Sequence, residues 1–306
     1  MRVFTADSAV TEFSPRFGAA GTVAFGESFV LRTVDCYDGQ IATSDTLRPG
    51  IDMARFNRAT GPVAVADARP GEWVRVVIER IDVAGDGVMA MTPGLGVLGD
   101  RVPDSSTRIL PVRGGKAWLT PDVGVPLRPM VGILGVATAS ETVPSSTPGS
   151  HGGNLDTRVL TPGASLALRV NQPGLGLAAG DLHAAMGDGE LGGTGIEIGG
   201  EVQLRVERLP GHDGTWPLVL SPEGVSVLAS CATLDEAIRE GFAEAVRLMA
   251  HWHDLPWPDA YRLTSVVCDL RVSQVVNPRA TARIALPAEW CPGSFAAPGA
   301  TSRALG

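Results

Sequence analysis

No uncharged apolar run in the 306 residues approaches the roughly 20 needed to cross a bilayer as a helix. The opening MRVFTADSAVTE lacks a basic start followed by an apolar stretch, so neither a membrane span nor a secretory leader is expected. Cysteine is scarce as well: Cys36, Cys231, Cys268 and Cys291 lie far apart with no Cys-x-x-Cys spacing. That pattern argues against a disulfide framework or a sulfur-based zinc site and makes them ordinary reduced thiols of a cytoplasmic chain. Long like-charge blocks are missing, and 25 Lys plus Arg against 33 Asp plus Glu give a net charge of −8. Nucleic acid and anionic membrane are poor partners for such a balance. There is no internal repeat of 20 to 50 residues. Two enzyme signatures are also absent. No Gly-x-Ser-x-Gly elbow occurs, and no lysine follows GLGVLGD at 94–100 to make a phosphate loop. The Ser-rich ATASETVPSS at 137–146 has no Ser-Ser-Lys arrangement, which leaves a serine mechanism as the weaker enzyme option.

What is abundant is turn chemistry. With 38 Gly and 23 Pro, long helices should be few, because each such residue in a helix interior costs about 1 (Gly) or 3 (Pro) kcal/mol relative to Ala. Residues 73–83, 165–170, 201–208 and 265–276 read as strands; in 201–208, Val202, Leu204 and Val206 share one face and Glu201, Gln203, Arg205 and Glu207 the other. The turns RPGE before Trp73 and TPGA before Ser165 mark strand entries. One helix is expected, Thr233–Trp252, opened by a Thr233/Glu236 capping box. Its stripe is Leu234, Ile238, Phe242, Ala245, Met249 and Trp252, with His251 and His253 solvated at the C-terminal end. At roughly 100 to 200 residues per domain the length suggests two units. The expected fold is mainly β with an α+β part: a β-sandwich-like N-terminal region, 1–142, and a smaller α+β region, 143–306, that carries the site. TVPSSTPGS at 142–150 is either a linker or an ordered loop beside that site.

Potential ligands concentrate in SHGGNLDT from Ser150 and GDLHAAMGDGE from Gly180. If GDLH is extended, Asp181 and His183 project from the same side of the strand, and His151 and Asp156 can close a coordination sphere from the GGN loop. Carboxylates with imidazoles suit a divalent metal, zinc above others, with a position left for water. The GDGE turn places Asp188 and Glu190 where a carboxylate can take a proton from an activated water. Each residue also has a plainer reading. Asp188 can be a turn residue, Asn154 an Asx-turn former, Glu190 an exposed charge and His151 a loop residue bonded to water.

Taken together, HGGNLDT, GDLHAAMGDGE and GTGIE resemble the acetamidase/formamidase family, and DCYDGQI at 35–41, TGPVAVADARPGE at 60–72, VGILGVA at 131–137 and YRLTSVVCDLRVSQVVNP at 261–278 look like family segments in family order. The resemblance implies hydrolysis of a short linear amide to a carboxylate and ammonia. It carries site roles onto Asp156, Asp181, His183, Asp188, Glu190 and Asn154. The spacing along the chain, rather than the resemblance, assigns His151, Asp156, Asp181 and His183 to the metal; Glu190 and Asp188 are expected to do acid–base work, and Asn154, Gly153 and Met186 to meet the substrate. Glu190 would move the proton, with backbone N–H groups of the Gly-rich loop steadying the oxyanion. The family also implies a homo-oligomer, a dimer or larger, with apolar interface material in EWCPGSFAAPG from Glu289. Met186 stands where the family usually has Gln, Gly192 where many members have Cys, and Arg32 where a Glu often precedes DCYDGQI. Those departures motivate the alternative of a catalytically silent metal- or small-ligand-binding β protein on the same scaffold.

Overall fold

A computed structural model describes residues 1–295 of the chain. Strands dominate it. β1 (Ser28–Thr33), β2 (Ala59–Val65), β3 (Trp73–Met91), β4 (Met130–Gly135), β5 (Gly152–Asn154), β6 (Ser165–Arg169), β7 (Leu177–His183), β8 (Glu197–Arg208), β9 (Leu218–Ser221), β10 (Gly224–Cys231), β11 (Asp269–Gln274) and β12 (Ala280–Pro287) hydrogen-bond in the order β5-β4-β7-β8-β3-β6-β9-β10-β12-β11. β1 also pairs with β8, and β2 with β7. Every one of these pairings is antiparallel. The sheet therefore branches, and its buried faces carry more than one apolar cluster.

The alternation expected in β8 is present: Val202, Leu204 and Val206 are fully buried while Glu201, Gln203, Arg205 and Glu207 are only partly covered. Those three side chains join Leu31, Val76, Leu134, Leu166 and Leu182 in the larger core cluster. Each such side chain taken out of water contributes about 1.5–3 kcal/mol. The expected boundary at 142/143 falls between β4 and β5, and strands from either side of it pair in the same sheet. TVPSSTPGS is an ordered loop: Val143–Pro144 pairs with Glu12–Phe13, and the Ser145 hydroxyl donates to the Asn57 carbonyl at 2.6 Å.

The C-terminal part is α+β. Helix α1 (Leu234–Trp252) starts at Thr233 with both halves of its capping box formed. Its buried residues are Ala237, Gly241, Glu244, Ala245, Val246, Leu248 and Met249, which share Ala245 and Met249 with the expected stripe. Leu234, Ile238 and Phe242 are only partly buried, and the last two line a groove shared with Trp257 and Tyr261. Those two aromatics belong to a second helix that the sequence reading missed, α2 (Trp257–Val267), which begins after Pro256 with Pro258 in its first turn. The strand expected over 265–276 is consequently shorter: 265–267 end α2, and β11 runs Asp269–Gln274. Proline at the start of a helix is well placed, since its missing N–H would have no partner there anyway. α1 covers β10 and β12, burying Val225, Val227, Ile284 and Leu286 in a second apolar cluster. His251 is exposed; His253 pairs through Nε2 with the Trp290 carbonyl at 3.0 Å. Trp290, Cys291 and Phe295 pack into that same cluster, so the described part of the expected interface segment serves the chain's own core, and 296–299 lie outside the described residues. No helix among the described residues is long and apolar enough to cross a membrane.

Candidate active site

The site forms where β7 changes neighbours. Up to Gly180 the strand pairs with β2, and from Leu182 it pairs with β8. Between them Asp181 takes a left-handed backbone, φ 53°. The expected reason for Asp181 and His183 to converge was a regular strand with both on one side. They do converge, with Asp181 Oδ1 3.5 Å from His183 Nε2, but through a kinked strand. The β7–β8 register sets His183 directly opposite Glu197, whose Oε2 is 3.1 Å from the same nitrogen. Asp156, two residues beyond β5, brings Oδ1 to 3.9 Å, and Glu190, on the β7–β8 connection, brings Oε1 to 3.9 Å. These five side chains are all buried, none more than 7% exposed.

Two glycines make the room. A Cβ on Gly132 of β4 would lie 2.5 Å from Asp156 Oδ1 and 2.6 Å from the Asp181 carbonyl oxygen, and one on Gly195 would lie 2.6 Å from His183 Nδ1. Outer contacts fix the clustered carboxylates. Asn277 Nδ2 donates to Asp156 Oδ2 at 2.7 Å and to the Asn154 carbonyl at 2.9 Å. The Thr194 hydroxyl donates to Glu197 Oε1 at 2.8 Å. The Gly189 N–H donates to the Ser273 carbonyl at 2.9 Å, tying the loop that carries Glu190 to β11.

Charge in this cluster is poorly compensated by the protein alone. Burial, reinforced by Asp181, pushes the Asp156 carboxyl up to about 6. Burial and Glu197 push Asp181 up to about 7. Burial and Asp156 hold Glu190 well above the carboxylate range. For His183 burial works against the charged form, but Glu197 and Asp181 outweigh it and hold the imidazole well above its ordinary value. Glu197 is the exception: burial would raise it, yet His183 keeps it low. His183 Nε2, Asp156 Oδ1, Asp181 Oδ1 and Glu197 Oε2 are buried and held together by close ion-pair contacts, 3.1 to 3.9 Å from the imidazole nitrogen, without a well-aligned hydrogen bond. Unpaired buried polar atoms are costly, and here they face one another, a donor set of one imidazole and several carboxylates that suits a divalent cation. Asp156, His183 and Glu190 each offer a ligand atom within 4.8 Å of the others, as do Cys36, Asp181 and Glu197.

The remaining expected site residues fall elsewhere. The His151 ring packs on Phe13 with centroids 5.2 Å apart; it belongs to neither group of donors, and burial, then Arg279, pushes its pKa down to about 4. Asp188 pairs with Arg283 at 2.8 Å and Arg158 at 3.3 Å. With Met186 it lines a cleft of about 770 Å³ that none of the clustered residues borders. Asn154 and Gly153 sit in β5 rather than in an Asx turn, and the Asn154 Oδ1 is buried without a partner. Glu197, Cys36 and Asn277 received no role from the sequence. Each nevertheless lies in a family-like segment, GTGIE, DCYDGQI and YRLTSVVCDLRVSQVVNP respectively.

A β-rich scaffold with a buried carboxylate–imidazole cluster at a strand switch does not by itself name a reaction, and comparison with known proteins supplies the class. The sequence profile of the Acetamidase/Formamidase family matches residues 6–148 and 137–291. The structure superposes on an acetamidase from Bacillus halodurans with TM-score 0.92, at 35% identity over 94% of this chain and 98% of that one. A predicted acetamidase/formamidase from Thermoanaerobacter tengcongensis gives TM-score 0.91 and 36% identity, covering 94% and 95%. An acetamidase of Mycolicibacterium smegmatis is 25% identical over 276 residues, 68% of each chain. The chain belongs to the acetamidase/formamidase family, and it is an amidohydrolase.

Proposed function

We propose that the chain hydrolyses a short linear amide, of the formamide or acetamide kind, to a carboxylate and ammonia in a reaction that depends on a divalent ion, with zinc the ion its donors suit best. The observation that carries this reading is the convergence of Asp156, Asp181, Glu190 and Glu197 on His183 Nε2. Asp156, Asp181 and His183 would hold the ion, which when bound supplies Lewis acidity to the carbonyl and to the attacking water. Glu190 is the acid–base group. Its burial beside Asp156 raises its proton affinity, so it can take the water's proton and return it to the departing nitrogen, releasing ammonia. Asn277 and Thr194 position Asp156 and Glu197.

Ammonia release from formamide, acetamide and propionamide, measured with and without chelator alongside bound metal, tests the proposal. Glu190→Gln should lower turnover by about 10² to 10⁴ while the ion stays bound. Full activity after exhaustive chelation, or wild-type turnover by Glu190→Gln, would refute it.

A further inference from the structure

Cys36 follows β1 by three residues and is 3% exposed, in contact with Tyr37 and Ile41 rather than with solvent. Its sulfur, one Asp181 oxygen and one Glu197 oxygen lie within 4.8 Å of one another, beside the separate grouping of Asp156, His183 and Glu190. The same two carboxylates speak for a ligand independently of the thiol. Asp181 Oδ1 and Glu197 Oε2 are buried, on residues each 3% exposed, and neither makes an aligned hydrogen bond, although both approach the His183 imidazole. The two groupings share a wall, because those same oxygens are the ones nearest His183 Nε2, at 3.5 and 3.1 Å. A carboxylate has two oxygens, so Asp181 can serve both sides.

We propose that Cys36, Asp181 and Glu197 form a second cation subsite, contiguous with the one at His183, so that the enzyme holds a pair of divalent ions, the second bound through sulfur. The proposal rests on the metal-dependent reading above and extends it. Sulfur makes the subsites chemically distinct. A thiolate selects a soft or borderline ion such as zinc or cobalt over magnesium or calcium, whereas the His183 side offers only nitrogen and oxygen. Binding replaces the thiol proton with the metal and releases that proton to solvent. Two adjacent ions suit a hydrolase because one can bind the attacking oxygen and the other the developing charge.

The test uses the full chain, stripped by chelator and titrated with Co²⁺ alone, followed by equilibrium dialysis and absorption. Two equivalents per chain are expected, with a sulfur-to-cobalt charge-transfer band in the near ultraviolet. Cys36→Ser should halve the bound cobalt and abolish that band while the visible ligand-field bands persist. A triple Cys231→Ser, Cys268→Ser, Cys291→Ser variant should keep both. Should Cys36→Ser fail to fold, X-ray absorption of the wild-type zinc form decides instead: a sulfur shell at about 2.3 Å supports the subsite, and a nitrogen–oxygen shell alone at about 2.0–2.1 Å overturns it. One equivalent without the sulfur band, yet with turnover restored, overturns this inference and leaves the amidase reading standing. No bound ion with chelator-resistant turnover overturns both.

Discussion

Gly132 separates the two aspartates by having no side chain, and adding one methyl group there is a severe perturbation. In Gly132→Ala the new Cβ would meet Asp156 Oδ1 at 2.5 Å, the Asp181 carbonyl oxygen at 2.6 Å and Asp181 Oδ2 at 2.9 Å. The first two are about an ångström inside van der Waals contact, and one of them is backbone that cannot rotate away. Overpacking of this kind costs about 1–3 kcal/mol, which lowers Tm by roughly 2–4 °C per kcal/mol in a domain approaching this size. On the proposed metal-dependent reading the functional loss should exceed the loss of stability, because a carboxylate displaced by an ångström would no longer close the coordination sphere. We expect bound metal to fall below one tenth of wild type and turnover to fall at least 10²-fold. Gly187→Ala is the matched control. It lies near Glu190 on the same connection, but a Cβ there meets nothing within 4 Å, so stability and turnover should be unchanged. Elemental analysis, amide turnover and thermal melting on both variants settle the matter. A Gly132→Ala enzyme with full metal and full turnover would show that the Asp156–Asp181 pair is not the centre of the site.

Asp188→Asn should reduce stability, by about 1–3 kcal/mol, because it strips the charged partner from Arg283, whose side chain is 8% exposed; bound metal should be retained, and loss of the ion on this substitution would return Asp188 to the site. Asp156 and Asp181 have folded values near 6 and 7, above the ordinary 3.8. In the metal-free fold, therefore, they bind protons that the unfolded chain has released, and their stabilising effect is lost as pH rises from about 4 through 7. The metal competes with those protons, so the gain in Tm on adding zinc should be small at pH 5 and large at pH 8; a gain independent of pH in melting curves would remove these carboxylates from the ligand set. Trp257, Tyr261 and Val266 are 61%, 52% and 82% exposed on α2, apolar area that an assembly would cover. Sedimentation should accordingly give at least twice the 31.8 kDa chain mass, and a monomer at micromolar concentration would contradict the expected homo-oligomer.

How far the sequence reaches is clearest from pairs of residues. The alternation of Val202, Leu204 and Val206 reports local geometry, which is why β8 is legible, and the Thr233 capping box marks its helix to the residue. α2 was hidden because Trp, Tyr and Val in a short stretch suit a strand as well as a helix, and packing against α1 decides between them. In the site, Asp188 and Glu190 are equivalent by sequence, two residues apart in one turn. What sorts them is Arg283, nearly a hundred residues later, which reaches Asp188 and not Glu190. Glu197 owes its place to strand register opposite His183, and Cys36 to the approach of a segment about 150 residues earlier in the chain. Spacing along a chain cannot report contacts made across it. It does record the family-like segments in which these residues lie.

Three of the site's acids, Asp156, Asp181 and Glu190, occupy left-handed backbone, with φ of 37°, 53° and 48°. An L side chain there costs of order 1–3 kcal/mol, which the surrounding fold must supply. The consequence concerns how such a protein can change. Glycine at any of the three positions would relieve backbone strain and remove a buried charge at once, so the easiest route to a more stable chain runs through destruction of the site. Selection for thermal robustness alone, or design guided by stability scores, would be drawn to these positions first and would return a sturdier protein without its chemistry. Stabilising this scaffold while keeping its activity means working elsewhere, on the exposed turns and the helical face, and leaving the strained acids as they are.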